Sequence, residues 1–406
     1  MSASRALVPL YAASAILTLG EGSFQLLTPP YMHERHISAV VIGSAVSAYG
    51  LVSLFVRLPA GAVYRSHRAW LLIAGGTALS SLAFAGVTLT SDPLLLTVLI
   101  ALDGAGFAVA TTANMAALIE RRPAGANAGS IMGWYTGSLG AGYALAGFVG
   151  GWLGDRVGPR AAILILALVP LLAGLLLSAY VQLTAPARVR DAGGNPSEAW
   201  WRHFRGLPAV VWVAFFVTLY INLVSGVVLT FFPIYGLAIG LTLTQIGFLQ
   251  GVHGAAASIV RFLSGAVLRI VSYSRTLPLM VVLSGISIAA IAGLRVVAIL
   301  AVAFAALGLT RGLLRVASAA LVMDEAGETD ARRGAASGVY LAGLDLGKIV
   351  GPLGGGVGAG TIGLRPTFFV ASVAFPLVYF SLTVAVRRRR RRLHSLHGRG
   401  EAQQAA

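Results

Sequence analysis

The chain has 406 residues, of which 57% are hydrophobic and only 11% are charged, and its mean hydropathy is +0.82. About a quarter of the residues in a soluble globular protein are charged, so this composition excludes that class. The formal net charge of +16 would suggest a nucleic-acid partner only if the protein were soluble. The chain has no cysteine, which excludes disulfides, thiolate nucleophiles and cysteine-ligated metals.

Apolar runs follow one another along most of the chain, and each is long enough to cross a hydrocarbon core of about 30 Å as a helix. They predict an all-α membrane protein with twelve transmembrane helices. The predicted helices lie at about 6–30, 39–64, 69–90, 94–119, 128–152, 160–184, 207–235, 243–268, 276–294, 297–322, 334–357 and 366–386. The alternating pattern of a membrane strand is absent from these runs.

The first apolar run has two features of a signal peptide, a basic start at Arg5 and small residues from Ala12 to Ser14. The run continues well beyond about 15 residues, to Pro29 and Pro30. Its length therefore favours a helix that is retained in the protein.

The basic residues concentrate at one end of the predicted helices, from Arg65 and Arg68 to the run Arg387 to Arg392. This distribution follows the positive-inside rule and predicts that both termini are cytoplasmic. The arginine run is then interpreted as a stop-transfer and lipid-headgroup anchor, with no nucleic-acid partner. Lys348 is the only lysine, which suggests a GC-rich bacterial genome and hence a bacterial cytoplasmic membrane.

The sequence contains an internal repeat. Residues 56–65 (VRLPAGAVYR) return almost unchanged as residues 260–269 (VRFLSGAVLR), and the same offset of 204 aligns Pro29 with Pro233. Farther along the chain, an offset of 205 aligns the glycines of the two halves, for example Gly158 with Gly363. Six helices followed by six in the same orientation are typical of many transporters. The repeat predicts two pseudo-symmetric bundles. These are an N-terminal six-helix bundle at 1–184, a cytoplasmic linker at 185–206, a C-terminal six-helix bundle at 207–386 and a basic cytoplasmic tail at 387–406.

This organisation, with a glycine-and-arginine loop after the second helix and its copy after the eighth, resembles the major facilitator superfamily over essentially the whole chain. Gly61, Arg65 and Arg68 match the family's loop motif, whereas Tyr64 occupies its aspartate position and His67 its second glycine. In the family that aspartate belongs to a charge cluster that holds the two halves together on the cytoplasmic side.

The resemblance therefore implies a cytoplasmic gate that lacks its usual aspartate, although Glu120 could still pair with Arg57 or Arg65. Gly61 and Gly265 are expected to permit the tight turns after the second and eighth helices. For the arginines, simple anchoring of the helix ends is as good an interpretation as a gate. The candidate gate residues are Arg57, Gly61, Arg65, Arg68, Arg261, Gly265 and Arg269.

A glycine-proline pattern in helix 5 is associated with antiporters of the family. Helix 5 here has glycines without proline, and helix 11 has the fuller version. Small residues let helices approach closely, either across the two halves or in generic packing, and both interpretations stay open. The candidate interface residues are Gly142, Gly147, Gly150, Gly347, Gly351, Pro352 and Gly355.

Ionisable residues in the middle of a membrane are costly, so they are the default candidates for function. The proton-coupling candidates are Glu21, Asp103, Asp345 and His253. The substrate-cavity candidates are Gln25, Asn114, Asn222, Arg311, Arg315 and Lys348. Helices 1, 4, 7 and 10 line the cavity in the family, so the resemblance implies that Glu21, Asp103, Asn222 and Arg311 face one space.

Two of these candidates have a structural alternative. Asp345 and Lys348 are three residues apart on one predicted helix, so they could simply neutralise each other. His253 could be a hydrogen-bonded structural residue rather than a proton carrier.

The leading functional hypothesis is a proton-coupled secondary transporter that exports small organic molecules, drugs or metabolites, by alternating access. The alternative is a proton-linked uptake permease for a small anionic or zwitterionic metabolite. The stretch Gly343 to Lys348 lacks the Ser or Thr of a phosphate-binding loop, so a proton gradient is the expected energy source, with no cofactor.

Neither an enzyme nor a metal site is expected, because the seven histidines show no metal-ligand spacing. A sensor without transport activity, built on the same fold, is a further class that the sequence leaves open. The partners that we expect are a small-molecule substrate and the lipid bilayer, and the family's usual state is a monomer.

Overall fold

The structure of the chain is a computed structural model. It describes residues 7–121, 128–184, 208–270, 273–325, 330–374, 376–381 and 383–384. The predicted linker at 185–206 and the predicted tail at 387–406 lie outside the described residues.

The described residues are almost entirely helical, because apolar runs without water must satisfy their backbone groups internally. The helices are α1 (Val8–Glu34), α2 (Ala39–Val63), α3 (Ala69–Val87), α4 (Pro93–Glu120), α5 and α6 (together Ala128–Leu183), α7 (Ala209–Ala238), α8 (Leu243–Ile270), α9 (Tyr273–Gly293), α10 (Val297–Glu325), α11 (Asp330–Ile362) and α12 (Leu364–Ser381). A short 3₁₀ helix, Ser66–Arg68, connects α2 to α3.

Glycines and caps set several of these boundaries. Gly158 has φ of 80° and separates α5 from α6, and Gly363, its counterpart in the repeat, has φ of 86° between α11 and α12. Both angles lie in the left-handed region, which glycine adopts without steric cost. Asp92 begins α4, because its Oδ1 accepts a hydrogen bond from the backbone N–H of Leu95 at 2.7 Å and Pro93 follows it.

The turns after α2 and α8 are not formed by the glycines that the sequence suggested. Gly61 lies inside α2 and Gly265 inside α8, and neither has a positive φ. The expectation of a tight turn at these positions is therefore wrong. The chain leaves α2 three residues after Gly61, at Tyr64.

Seven stretches within the described part of the chain are long and apolar enough to span a membrane. One of them, Trp134–Leu183, includes the break at Gly158 and so contains two helices. The chain is thus an all-helical, multi-pass membrane protein. The count of twelve membrane crossings stays a prediction.

The sequence repeat is also a repeat of interactions. In the first half, the hydroxyl of Tyr31 on α1 donates to the carbonyl oxygen of Thr88 at 3.1 Å. In the second half, the hydroxyl of Tyr235 on α7 donates to the carbonyl oxygen of Ala292 at 2.7 Å. Donors and acceptors are each related by the offset found in the sequence, so the two halves tie equivalent helices together in the same way.

Two helix crossings, between α5 and α8 and between α2 and α11, account for most of the packing between the halves. The contacting residues lie at 140–155 on α5 and 243–258 on α8, and at 39–50 on α2 and 348–360 on α11. We call the end of the bundle that contains the loop 35–38 the closed end, because both crossings lie toward it. Farther along α2, away from this end, Phe55 and Val63 are exposed.

Candidate functional site

The N-terminal half contains a pair of buried carboxyl groups. Glu21 on α1 and Asp103 on α4 are 2% and 0% exposed, and their side chains are adjacent. Gln25, one helical turn after Glu21, donates from Nε2 to Glu21 Oε1 at 2.7 Å. Tyr49 of α2 also lies beside Glu21. The structure thus brings together two residues that are far apart in the sequence.

Glycines allow the helices to come close enough to form this pair. A Cβ atom at Gly104, next to Asp103, would lie 2.5 Å from the carbonyl oxygen of Tyr49, so only glycine lets α4 pack on α2 here. Ser53 of α2 completes the contact by donating its hydroxyl to the carbonyl oxygen of Gly104 at 2.8 Å. Small residues therefore place Asp103 and Tyr49 at one level of the bundle.

Within the described part of the chain, the side chain of Asp103 lacks hydrogen bonds. Its polar neighbours are Glu21 and Ser80, but neither carboxyl oxygen of Asp103 has a hydrogen-bond partner of good geometry among the described residues. The ionised form of a buried carboxyl group without hydrogen-bond partners is costly in free energy. Such a group therefore either holds a proton or gains a partner. The pair can therefore store a proton.

Tyr143 of α5 connects this pair to the other half. It lies within electrostatic reach of Glu21 and Asp103 in its own half and of Arg311 in the opposite half. Its ring packs on Gly22, where an added Cβ atom would come within 2.9 Å of it. The sequence analysis missed Tyr143. Its signal is a tyrosine within the apolar stretch at 139–154.

The C-terminal half has a cluster of basic side chains at its centre. Nη1 of Arg311 on α10 lies 3.3 Å from Nε2 of His253 on α8. Arg315, one turn farther along α10, and Lys348 of α11 lie within electrostatic reach of Arg311. We call Arg311, Arg315, Lys348 and His253 the basic cluster. Its charge is opposite to that of the carboxyl pair in the first half.

Asp345 and Lys348 do form a contact, with Lys348 Nζ at 3.8 Å from Asp345 Oδ1. Their side chains are 27% and 52% exposed, so the pair is only partly shielded from its surroundings. Lys348 also lies within electrostatic reach of Arg57 on α2. Because Arg57 belongs to the opposite half, the side chain of Lys348 lies near the boundary between the two halves.

The candidate asparagines connect helices within each half. Asn114 of α4 donates from Nδ2 to the hydroxyl of Ser14 on α1 at 2.7 Å. Asn222 of α7 donates from Nδ2 to the carbonyl oxygen of Leu344 on α11 at 2.7 Å. Both side chains are almost fully buried, whereas Gln25 is exposed. Gln25 is therefore the candidate amide that remains accessible.

The loop motif forms a cluster within the first half. Glu120, at the end of α4, accepts hydrogen bonds from the hydroxyls of Tyr64 and Ser66, both at 2.9 Å, and lies 3.8 Å from Arg121. Burial and the Glu120 carboxylate both raise the pKa of Tyr64 above its ordinary value. Tyr64, at the position of the family's aspartate, thus uses its hydroxyl to bind Glu120.

The arginines of the proposed gate are placed differently from one another. Arg57 and Arg68 are exposed, and Arg65 donates from Nη1 to the carbonyl oxygen of Tyr64 at 2.9 Å. Arg261 reaches across to α5, where a Cβ atom at Gly140 would lie 4.0 Å from its Nη1. The side chain of Arg269 lies outside the described residues.

The candidate interface residues divide into two groups. Five of them are glycines at which an added Cβ atom would collide with α1 or α7 of the same half. The other two lie against a helix of the opposite half. The residues that pack within their own half are Gly142, Gly150, Gly347, Gly351 and Gly355. The residues that pack across are Gly147, against Gly247 and Gly251, and Pro352, whose carbonyl lies against Gly43.

Comparison with known proteins agrees with this architecture. The family model of the Major Facilitator Superfamily matches residues 10–331. A search of curated proteins finds no match.

Solved structures show the same fold. The crystal structure of a mutant of the nucleoside transporter NupG has a TM-score of 0.79 and 14% identity, and the match covers 93% of this chain and 99% of that chain. A bacterial homologue of the human lysosomal transporter Spinster, in an inward-facing and unoccupied conformation, has a TM-score of 0.73 and 15% identity, covering 94% of this chain and 98% of that chain. Identities this low show the fold alone. The chain belongs to the Major Facilitator Superfamily of membrane transporters.

Proposed function

We propose that this transporter exports a small organic molecule in exchange for protons, by alternating access between its two halves. The observation that supports proton coupling most directly is the buried pair of Glu21 and Asp103. Two adjacent carboxyl groups can hold one proton between them and release it when water reaches them. The energy source in this proposal is the proton gradient, and no cofactor is required.

Tyr143 suggests how the proton would act on the opposite half. Its phenol is within electrostatic reach of both the carboxyl pair and Arg311. In this proposal a change of charge on the pair changes the electrostatic attraction that Arg311 experiences across the space. A proton on Glu21 or Asp103 weakens that attraction. The equilibrium between the conformation open to one side of the membrane and the conformation open to the other side then shifts. The size of the shift is set by how much the interaction energy differs between the two conformations.

The charge distribution of the sequence suggests the orientation of the bundle. If both termini are cytoplasmic, the closed end faces outward and the space between the halves opens to the cytoplasm. An exporter in this state is ready to accept its substrate. Because the chain has no native cysteine, single cysteines at Phe55 and Ser91 can test the orientation by their reactivity in intact cells.

Transport itself is tested with everted membrane vesicles and a substrate found by thermal-shift screening of the purified chain. Vesicles with an acid lumen should accumulate the substrate, and Glu21→Gln and Asp103→Asn should each lower the proton-driven rate at least about tenfold, as the loss of a proton site predicts. Exchange of substrate without a proton gradient should continue in both variants.

Glu34→Gln is the matched control, because this carboxylate lies on the same helix but is exposed at its end. The control should retain the wild-type rate. Proton-driven transport that is unchanged in both the Glu21 and the Asp103 variants would rule out the carboxyl pair as the coupling site.

A second candidate function is proton-linked uptake of an anionic or zwitterionic metabolite. The basic cluster supports it, because Arg311, Arg315 and Lys348 provide positive charge at the centre of the second half. The direction of transport separates the two candidates. An uptake permease would not accumulate substrate in everted vesicles with an acid lumen, whereas an exporter would.

A further inference from the structure

The basic cluster has more positive charge than the described carboxylates around it can neutralise. Asp345 is the one described carboxylate in salt-bridge contact with it, and that contact is a 3.8 Å approach to Lys348. Within the described part of the chain, Arg311 and Arg315 have no ion pair. Unpaired positive charge in the middle of a membrane protein is costly, so a site for an anionic ligand is the simplest explanation for its presence.

The hydrogen bonds of Arg311 point to the same conclusion. A guanidinium group can only donate, so Nε2 of His253 accepts from Arg311 and the imidazole proton must lie on Nδ1. Nδ1 is buried and has no hydrogen-bond partner within the described part of the chain. Nε of Arg311 is buried and has no hydrogen-bond partner among the described residues. Buried donors without acceptors are rare in proteins, so this donor is suited to an acceptor that a ligand supplies.

The carboxyl pair of the first half does not provide that acceptor here. Glu21 interacts with Gln25, Tyr49 and Asp103, all of which belong to its own half. Among the described residues, the groups that act electrostatically on Arg311 are Arg315 and Tyr143, and neither Glu21 nor Asp103 is among them. The internal acids and the basic cluster are thus separate groups in this conformation.

The basic cluster is also accessible from the space between the halves. The side chain of Lys348 is 52% exposed, and it lies within electrostatic reach of both Arg311 and, across the space, Arg57. A space bordered by positive charge on both sides concentrates anions. A ligand with one oxyanion group can therefore reach Lys348 while its remaining part occupies the space.

We infer that the basic cluster is the binding site for an oxyanion group of the transported molecule, so that the substrates are small organic acids or phosphomonoesters. This inference rests on the proposed transport function and makes it more specific. Arg311 provides the planar donor face that fits a carboxylate or phosphate, and Lys348 adds a mobile charge at the entrance. Asp345 moderates the affinity by partly neutralising Lys348.

Binding is tested with the purified full-length chain and matched pairs of compounds at constant ionic strength. The pairs are benzoate with benzamide, phenyl phosphate with phenol, and glycerol 3-phosphate with glycerol, and the measurement is the ligand-dependent shift of the thermal unfolding midpoint. At least one anion should stabilise the protein while its neutral partner does not. Equal shifts within every pair, or no shift with any anion, would contradict the inference.

Variants then assign the site. Arg311→Gln and Lys348→Gln should each weaken binding of the anion about tenfold, which is the usual effect of losing one charge-assisted hydrogen bond. Asp345→Asn should strengthen binding about threefold, because it removes the opposing charge. Arg295→Gln, in the exposed loop between α9 and α10, is the control and should bind as the wild type does.

Lys348→Gln keeps the test valid if Arg311→Gln does not fold, because the Lys348 side chain is half-exposed. Anion binding that is unchanged in Lys348→Gln and in Asp345→Asn overturns the assignment. A neutral substrate driven by protons would overturn this inference and leave the proposed coupling intact. Anion binding without proton-driven transport would overturn the proposed proton coupling and leave this inference intact.

Discussion

The two crossings that join the halves are copies of each other, but they are held together differently. Gly247 meets Gly151 where α8 crosses α5, and Gly43 meets Gly356 where α2 crosses α11. In the repeat, Gly43 corresponds to Gly247 and Gly151 corresponds to Gly356. At both places an added Cβ atom would strike the backbone of the opposite helix. The shared part of the design is therefore close backbone packing, which requires glycine.

The difference lies at the closed end. Asp155 of α5 accepts hydrogen bonds from the backbone N–H groups of Leu243 at 2.9 Å and Thr244 at 2.7 Å, the first residues of α8. The carboxylate thus caps a helix of the opposite half, where the helix dipole favours negative charge. The equivalent position in the second crossing is Gly360, which cannot form such a cap.

The second crossing uses a different hydrogen bond, nearer the centre of the bundle. The hydroxyl of Ser47 on α2 donates to the carbonyl oxygen of Ile349 on α11 at 2.6 Å. The first crossing therefore has a charged contact at its outer end, and the second has a neutral contact farther inside. This comparison teaches that a duplicated scaffold can have one crossing that responds to charge and one that depends on close packing and a neutral hydrogen bond.

The largest effect is expected from filling the close contact itself. Gly43→Val would place a side chain against the carbonyl oxygen of Pro352, and overpacking of this kind costs about 1–3 kcal/mol. The unfolding midpoint should fall, and a spin-label distance across the closed end should increase. Gly354→Val is the control, since no atom of the described residues lies within 4 Å of its Cβ position. Equal effects in both variants would contradict a specific role for the crossing.

An intermediate effect is expected at the cap. Asp155→Asn keeps the shape of the side chain but removes its charge, which should weaken the closed end by about 1 kcal/mol. The spin-label distance between α5 and α8 at this end should broaden toward longer values, while the distance between α2 and α11 changes less.

Asp92→Asn provides the comparison for that variant, because Asp92 caps α4 within its own half. It should lower stability to a similar extent without changing either distance. Unchanged distances in Asp155→Asn would show that the cap does not hold the halves together.

The smallest effect is expected from the neutral bond of the second crossing. Ser47→Ala removes one hydrogen bond between α2 and α11, and we expect a loss of about 0.5–1.5 kcal/mol in the free energy of unfolding. Ser44→Ala is matched to it, since among the described residues that hydroxyl bonds to Val40 of its own helix. A loss as large as that of Gly43→Val would mean that packing does not dominate the second crossing.

Several features of this protein were determined by the sequence alone. The positions of the helices follow from apolar length, and the predicted start of the second helix at residue 39 coincides with the start of α2. The repeat predicted which tyrosines would take equivalent roles, and Tyr31 and Tyr235 do so. The burial of Glu21, Asp103 and His253 was also predictable, because each lies deep within an apolar run.

Only the tertiary structure decided which of these residues meet. Glu21 and Asp103 are adjacent, and Asn222 turns to Leu344 of α11 in its own half. Gly147 packs across the halves while Gly150, three residues later, packs on Ser23 of α1. Hydropathy locates a helix along the chain, but contacts depend on its rotation and tilt. Those are fixed by all the neighbouring helices at once, through the small residues that permit close approach.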